Sequence, residues 1–214
     1  MCGRMTLTLD IDAVAEALGA EPTAEAREGY RPRYNLPPTD PHVVAISDGG
    51  KRRLVRQRWG LGLETLKKPQ INARAETVHK LGIFKRSFQE RRCLVPADGF
   101  YEWTGPKSRR RPIWFHPRAG GILVFAGIYD ARGFCVITTS ANGEMAPIHD
   151  RMPVILSPEG AERWLRVADV GLLVPAEEGK LLGTPVSSRV GSVANDAPAC
   201  LEPAGAEPGQ LDLL

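Results

Sequence analysis

The chain has 214 residues, 43% of them hydrophobic and 25% charged, proportions that exclude wholesale disorder, collagen-like repeats and fibrous heptads and suit one large domain. The longest apolar run, 121–129, is too short to span a bilayer, and Arg4, Asp10 and Asp12 interrupt the region where a signal peptide would be apolar, so a cytoplasmic protein with no membrane partner is expected. The net charge of +3 conceals a segregation: residues 51–118 hold 18 of the 28 basic groups and only 5 of the 25 acidic ones, a surplus that points to a polyanion such as nucleic acid.

Behind Asp10, a plausible N-cap, the spacing of Ile11, Val14, Ala15 and Leu18 predicts an amphipathic helix over 11–19 that ends at Gly19. Segments 42–47 and 52–59 flank the turn signal Asp48-Gly49-Gly50 and read as a hairpin, with arginines forming a positive strip on its outer face. Gly60-Leu61-Gly62 lacks the third glycine of a nucleotide loop. Val78, Leu81, Phe84 and Phe88 predict a second helix, and Ser157-Pro158 ahead of Ala161, Trp164 and Leu165 a third with proline at its first position. Strands are expected at 93–97, 99–104, 112–116, 121–129, 133–139, 152–156, 172–174 and 185–190. The fold class expected is α+β, a single domain over 1–200 of mainly antiparallel, barrel-like twisted sheet with a few flanking helices. Residues 201–214, rich in Pro, Gly, Ala and Glu at their start, read as a disordered tail.

Four cysteines at 2, 93, 135 and 200 form no CxxC pair, and the histidines at 42, 79, 116 and 149 show no ligand spacing, so reduced thiols and neither metal nor cofactor are expected. Cys93 and Cys135 read as buried hydrophobes. Cys2 is different. Removal of Met1 would expose a 1,2-aminothiol, whose α-amine, with a pKa of about 7.7–8.0, is partly neutral at cellular pH and adds to aldehydes. The thiol could then close a five-membered thiazolidine. Asn72 in INARAET, Glu102 in DGFYEW and His149 in IHDRMP are polar groups that could support such chemistry. Alternation along 99–104 puts Glu102 on the face of Phe100, where a carboxyl can serve as general acid or base. Each also has a bland reading: a strand carboxylate paired with arginine, a loop histidine, a turn-forming asparagine.

Taken together, MCGR at 1–4, RYNLPPT at 33–39, INARAET at 71–77, CLVPADGFYEW at 93–103, the threonines at 138–139, IHDRMPVIL at 148–156 and VSSRV with Asn195 resemble the SRAP domain proteins, which shield abasic sites in single-stranded DNA. The resemblance runs from about Met1 to Asn195. It implies that Cys2 forms a thiazolidine crosslink with the ring-opened sugar, that Asn72 holds the N-terminal amine and sugar, that Glu102 shuttles protons and that His149 assists ring opening and reversal. It further implies DNA contacts at Arg4, Asn35, Arg74, Thr138, Thr139 and Ser187, and a monomer acting on abasic single-stranded DNA, including single-strand to double-strand junctions, in the nucleoid. The family is also described as removing its own leading methionine, a peptidase-like activity, beside lyase-like chemistry at the lesion. Where a family member carries a stacking tryptophan pair, Trp59-Gly60 is followed here by Leu61-Gly62-Leu63-Glu64-Thr65-Leu66, in which Leu63 or Leu66 is expected as a wedge against DNA, with a core role for these leucines the alternative.

Two other classes remain open at this point. Class II glutamine amidotransferases also begin with a processed cysteine, and Asn142-Gly143-Glu144 echoes one of their motifs, displaced relative to the N-terminus. A non-covalent single-stranded DNA binding module would leave Cys2 incidental.

Overall fold

The structure is a computed structural model that describes residues 2–62, 68–106 and 108–204. The chain opens with the short strand β1 (Met5–Leu7) and the helix α1 (Ile11–Leu18). Asp10 caps α1 by accepting from the Asp12 and Ala13 amides, and Gly19 ends it at φ +56°. After β2 (Glu21–Pro22), α2 (Ala24–Glu28) and β3 (Arg33–Leu36) comes the long hairpin β4 (Pro41–Asp48) and β5 (Lys51–Arg58). Its tip is turned by Gly49 and Gly50, both at positive φ. Then follow β6 (Asn72–Arg74), α3 (Gly82–Glu90), β7 (Arg92–Ala97), β8 (Gly99–Thr104), β9 (Arg111–Pro117), β10 (Leu123–Tyr129), β11 (Phe134–Ser140), β12 (Arg151–Pro153), α4 (Pro158–Arg166) and β13 (Leu181–Pro185).

Two twisted, open sheets result. One has the order β13-β9-β8-β1-β3; the other has β12-β11-β10-β7-β4-β5-β2, with β6 added in parallel to β11. Most pairings are antiparallel, as the α+β reading requires, but the sheets do not close into a barrel. One apolar core includes Met5, Phe100, Phe115, Phe125 and Trp59, and a second is formed under the helices by Val14, Leu18, Phe84, Phe88 and Trp164. The Phe100 ring stacks on Phe115 at 5.4 Å and meets Phe125 edge-on at 5.9 Å, each buried ring contributing about 1.5–3 kcal/mol by transfer from water.

Two predicted strands fail. In place of 172–174 there is a 3-10 turn at Val170–Leu172, because the Asp169 carboxylate accepts from the Gly171 amide at 2.8 Å and pins the backbone in a tight turn. In place of 185–190 the strand stops at Pro185 and Ser187 caps a 3-10 turn over Ser188–Gly191. The outer strip of β5 is also less free than its sequence suggests, since Arg52 is paired with Glu162 and Arg53 with Glu21.

His42 on β4 is buried, with Nε2 2.8 Å from the Pro96 carbonyl, and burial lowers its pKa to about 4. The imidazole of an unfolded chain titrates near 6.5, so between these values the unfolded state holds the extra proton. The contribution of a neutral His42 is therefore present above about pH 6.5 and is lost as pH falls toward 4, with a span on the order of 3 kcal/mol. Urea denaturation across that window should show stability rising with pH, and His42→Gln, which keeps a donor but cannot titrate, should flatten the rise by about one proton equivalent. An unchanged slope would contradict the assignment.

Candidate active site

The N-terminal residues run beside β8: the Tyr101 amide donates to the Arg4 carbonyl at 2.9 Å, and Met5 pairs with Phe100. This register buries Cys2 completely. From the other sheet, Trp59 donates its indole N–H to the Ile71 carbonyl at 3.0 Å, and the Val136 amide donates to the same oxygen, fixing the start of β6. Asn72, the next residue, then donates its amide to the Cys2 carbonyl at 2.8 Å. Its Oδ1 is buried and accepts no hydrogen bond from the described residues, leaving an acceptor beside the N-terminus.

Glu102 lies on β8 opposite Ile113, and only 5% of it is exposed. The face assignment from sequence holds: Phe100 enters the core between the sheets, while Tyr101 joins a separate cluster with Val186, Val190 and Cys200 against which Trp103 packs. Burial pushes the Cys2 thiol well above the usual thiol range, and the negative charge of Glu102 adds to the shift. The sulfur is thus held as S–H, and a base is required when it forms a bond.

Glu102 and His149 both line an open cleft of about 440 Å³ whose lining also includes Trp103, Arg110, Pro147 and Ile148. His149 is presented by a loop with fixed ends. Asn142 accepts from the Met145 amide and donates to the Ala176 carbonyl, and the Gly143 and Glu144 amides both donate to the Glu178 carboxylate. The Asn-Gly-Glu sequence is thereby engaged in shaping this loop. His149 Nδ1 lies 2.9 Å from both the Arg151 amide and the Asp150 carboxylate.

The residues expected at the DNA divide into two groups. Arg74 is exposed and forms no salt bridge among the described residues. Arg4 is half-buried: it donates to Asn35 Oδ1 at 2.6 Å and to the Val190 carbonyl at 3.0 Å, with its guanidinium 5.6 Å from the Trp103 ring centre. Asn35 is fully buried and donates to the carbonyls of Val190, Ser192 and Asn195, so it holds the 190–195 segment in place. Thr138 and Thr139 are buried on β11, Thr138 in register with Arg74. Ser187 caps its 3-10 turn and does not line the cleft. The expected wedge residues Leu63 and Leu66 lie outside the described residues. Trp103 and Arg110 were not singled out by the sequence for the cleft; an aromatic ring and a guanidinium flanking a strand end were the available signal.

All four cysteines are free thiols. Among the described residues, no three His, Cys, Asp or Glu side chains gather as metal ligands would, and no helix is long and apolar enough to cross a membrane.

The family model described as SOS response associated peptidase (SRAP) matches residues 1–193. The chain is 34% identical over 224 residues to the abasic site processing protein YoqW of Bacillus subtilis, covering 94% of this chain and 99% of that one. It is 32% identical over 263 residues to the abasic site processing protein HMCES of Gallus gallus, covering 95% and 78% respectively. A crystal structure of a protein from Bacteroides thetaiotaomicron superposes with a TM-score of 0.82 at 22% identity, covering 95% of this chain and 100% of that one, and shares the fold.

Proposed function

The chain belongs to the SOS response associated peptidase (SRAP) family, and from that premise we propose that it processes abasic sites in DNA by covalent capture of the lesion on Cys2. The observation that carries the reading is the hydrogen bond from Asn72 to the Cys2 carbonyl, which draws β6 onto the N-terminus beside Glu102. A lone second-position cysteine would need no such frame.

With Met1 removed, the α-amine attacks C1′ of the ring-opened sugar. Glu102 supplies the proton with which the carbinolamine hydroxyl leaves as water and then takes the proton from the nitrogen, giving a neutral imine and restoring the carboxylic acid. The Cys2 sulfur then bonds to the same carbon, its proton passes through Glu102 to the imine nitrogen, and the thiazolidine is complete with the net loss of one water. His149, in the lining of the same cleft, assists opening of the sugar ring and the reverse reaction. Arg74 and the exposed basic groups of the middle third hold the flanking phosphates of single-stranded DNA, whereas Arg4, Asn35, Thr138 and Thr139 shape the wall that presents the N-terminus.

Mass spectrometry of the protein incubated with an abasic oligonucleotide tests the proposal. The expected species has the mass of the chain without Met1 plus the oligonucleotide minus one water. Reversible binding with no covalent species, or glutamine hydrolysis in its place, would overturn it.

A further inference from the structure

The arginines of the β4–β5 hairpin differ in what neutralises them. Toward its tip, Arg52 is paired with Glu162 and Arg53 with Glu21. Toward its base, Arg56 and Arg58 form no ion pair among the described residues; Arg58 donates to the Thr39 carbonyl at 3.0 Å, and Arg56 makes no hydrogen bond there. Alternation puts both on one face of β5, Arg56 opposite Val43 and Arg58 opposite Pro41. Like charges held this close repel each other unless an anion joins them.

Beside Arg56 is a cavity of about 230 Å³ that shares no residue with the cleft of Glu102 and His149; it lies between the 29–31 loop, β3 and the base of the hairpin. Arg31, Arg33, Arg56 and Asp40 line it. Arg33 is held from two sides, Nε donating to Asp196 at 2.5 Å and Nη2 to Asp40 at 2.7 Å, and Arg31 lies 3.3 Å from Asp196. Three guanidiniums thus meet two carboxylates, and the charge left over is that of Arg56. The loop is shaped to receive that side chain. Tyr30 donates its hydroxyl to the Leu9 carbonyl at 2.5 Å, and the Arg56 guanidinium lies so close to Gly29 that a Cβ there would stand 2.6 Å from Nη1. Glycine serves here for close approach, its φ of −93° being open to any residue.

We propose that this cavity is a second phosphate site, which takes a backbone phosphate of the lesion-bearing strand away from the abasic nucleotide itself. A phosphodiester carries one negative charge, which matches the surplus, and a guanidinium can donate two hydrogen bonds to its oxygens. Strand β1 joins the two sites: Met5 pairs with Phe100, two residues from Glu102, and Leu7 pairs with Arg33. Cys2 and Leu7 are separated by at most about 18 Å of extended chain, the length of about five stacked nucleotides at a rise of about 3.4 Å. The identity of the phosphate rests on the DNA reading of the cleft, whereas the charge surplus of the cavity does not.

The test uses the full chain with Met1 removed and two single-stranded oligonucleotides of equal length that carry a tetrahydrofuran abasic analogue, which has no aldehyde and binds reversibly. One has about eight nucleotides on the 5′ side of the analogue and a single one on the 3′ side; the other is the reverse, and either long flank exceeds the separation of the two sites. A site displaced from the lesion is reached by one of them alone. Fluorescence anisotropy should show Arg56→Gln weakening that one by about three- to tenfold, with a salt slope lower by about 0.7, and leaving the other near wild type. Gly29→Ala keeps every charge but takes the space of the Arg56 guanidinium, so it should weaken the same oligonucleotide. Arg27→Gln, which removes an exposed arginine paired with Asp12, should weaken neither. Equal losses on both oligonucleotides, no loss on either, or a Gly29→Ala protein that binds both like wild type overturns the proposal. Adduct formation with an aldehyde-bearing abasic oligonucleotide is read separately; its absence tells against the Cys2 mechanism and leaves the anisotropy result readable.

Discussion

Protein that retains Met1, or whose Cys2 α-amine is acetylated, is expected to form no stable adduct with abasic single-stranded DNA, a loss of at least about 10³-fold in crosslinking rate. The amine is the only nucleophile in the pair that is usable without a helper: the thiol is buried, and both its burial and the Glu102 charge oppose the thiolate. An amide nitrogen cannot make the imine, and without the imine the sulfur has no electrophile for ring closure. Cys2→Ser separates the two steps. Its amine still condenses with the aldehyde, so borohydride should trap an adduct that disappears when the reductant is omitted. Wild-type crosslinking should rise from pH 6 to 8 as an amine with a pKa of about 7.7–8.0 loses its proton. Denaturing gels with and without borohydride across that range decide the matter, and normal crosslinking by methionine-bearing protein would refute the mechanism.

The parts of the fold that could be read from sequence are those governed by local chemistry. Asp10 and Gly19 bracket α1, Gly49 and Gly50 turn the β4–β5 hairpin, and Ser157 with Pro158 starts α4. What escaped was set by distant contacts. β1 and β3 are only three and four residues long, too short for a period to register, and they exist because β8 pairs one edge of β1 and β3 the other. The stretch 185–190 has strand-like composition, yet its apolar residue Val190 is buried against Tyr101 and its carbonyl is taken by Arg4 and Asn35, partners more than a hundred and fifty positions away.

The candidate site divides similarly. Cys2 announced itself through the aminothiol its position implies, but nothing local in INARAET says that Asn72 will reach the Cys2 carbonyl. That contact needs β6 to lie parallel to β11 and Trp59 to hold Ile71, a placement that no local spacing encodes. Burial was the least visible property: Asn35 and the threonines at 138–139 look like exposed polar groups in sequence and lie inside the protein.

Glu102→Gln and Arg74→Ala should fail in opposite ways. Glutamine keeps the shape of Glu102 but cannot release or return a proton, so adduct formation should slow by about 10²-fold or more while affinity for abasic single-stranded DNA stays near wild type. Relief of the negative charge beside Cys2 makes the thiolate slightly easier to form, which opposes the expected defect, so a large loss in this variant is strong support for proton transfer. Arg74 lies at the exposed end of β6, and its neighbour Glu76 is already held by Arg151 through two hydrogen bonds of 2.6 and 3.0 Å, so removing the guanidinium leaves that local ion pair intact. Arg74→Ala should therefore weaken DNA binding and reduce the slope of log affinity against log salt by about 0.7 to 1 unit, with the rate at saturating DNA little changed. Single-turnover crosslinking at subsaturating and saturating oligonucleotide, repeated at two salt concentrations, separates the two cases. If both variants lost affinity alike and reached the wild-type rate at saturation, Glu102 would be a binding residue and the proton transfer would have to come from elsewhere, with His149 in the same cleft the next group to test.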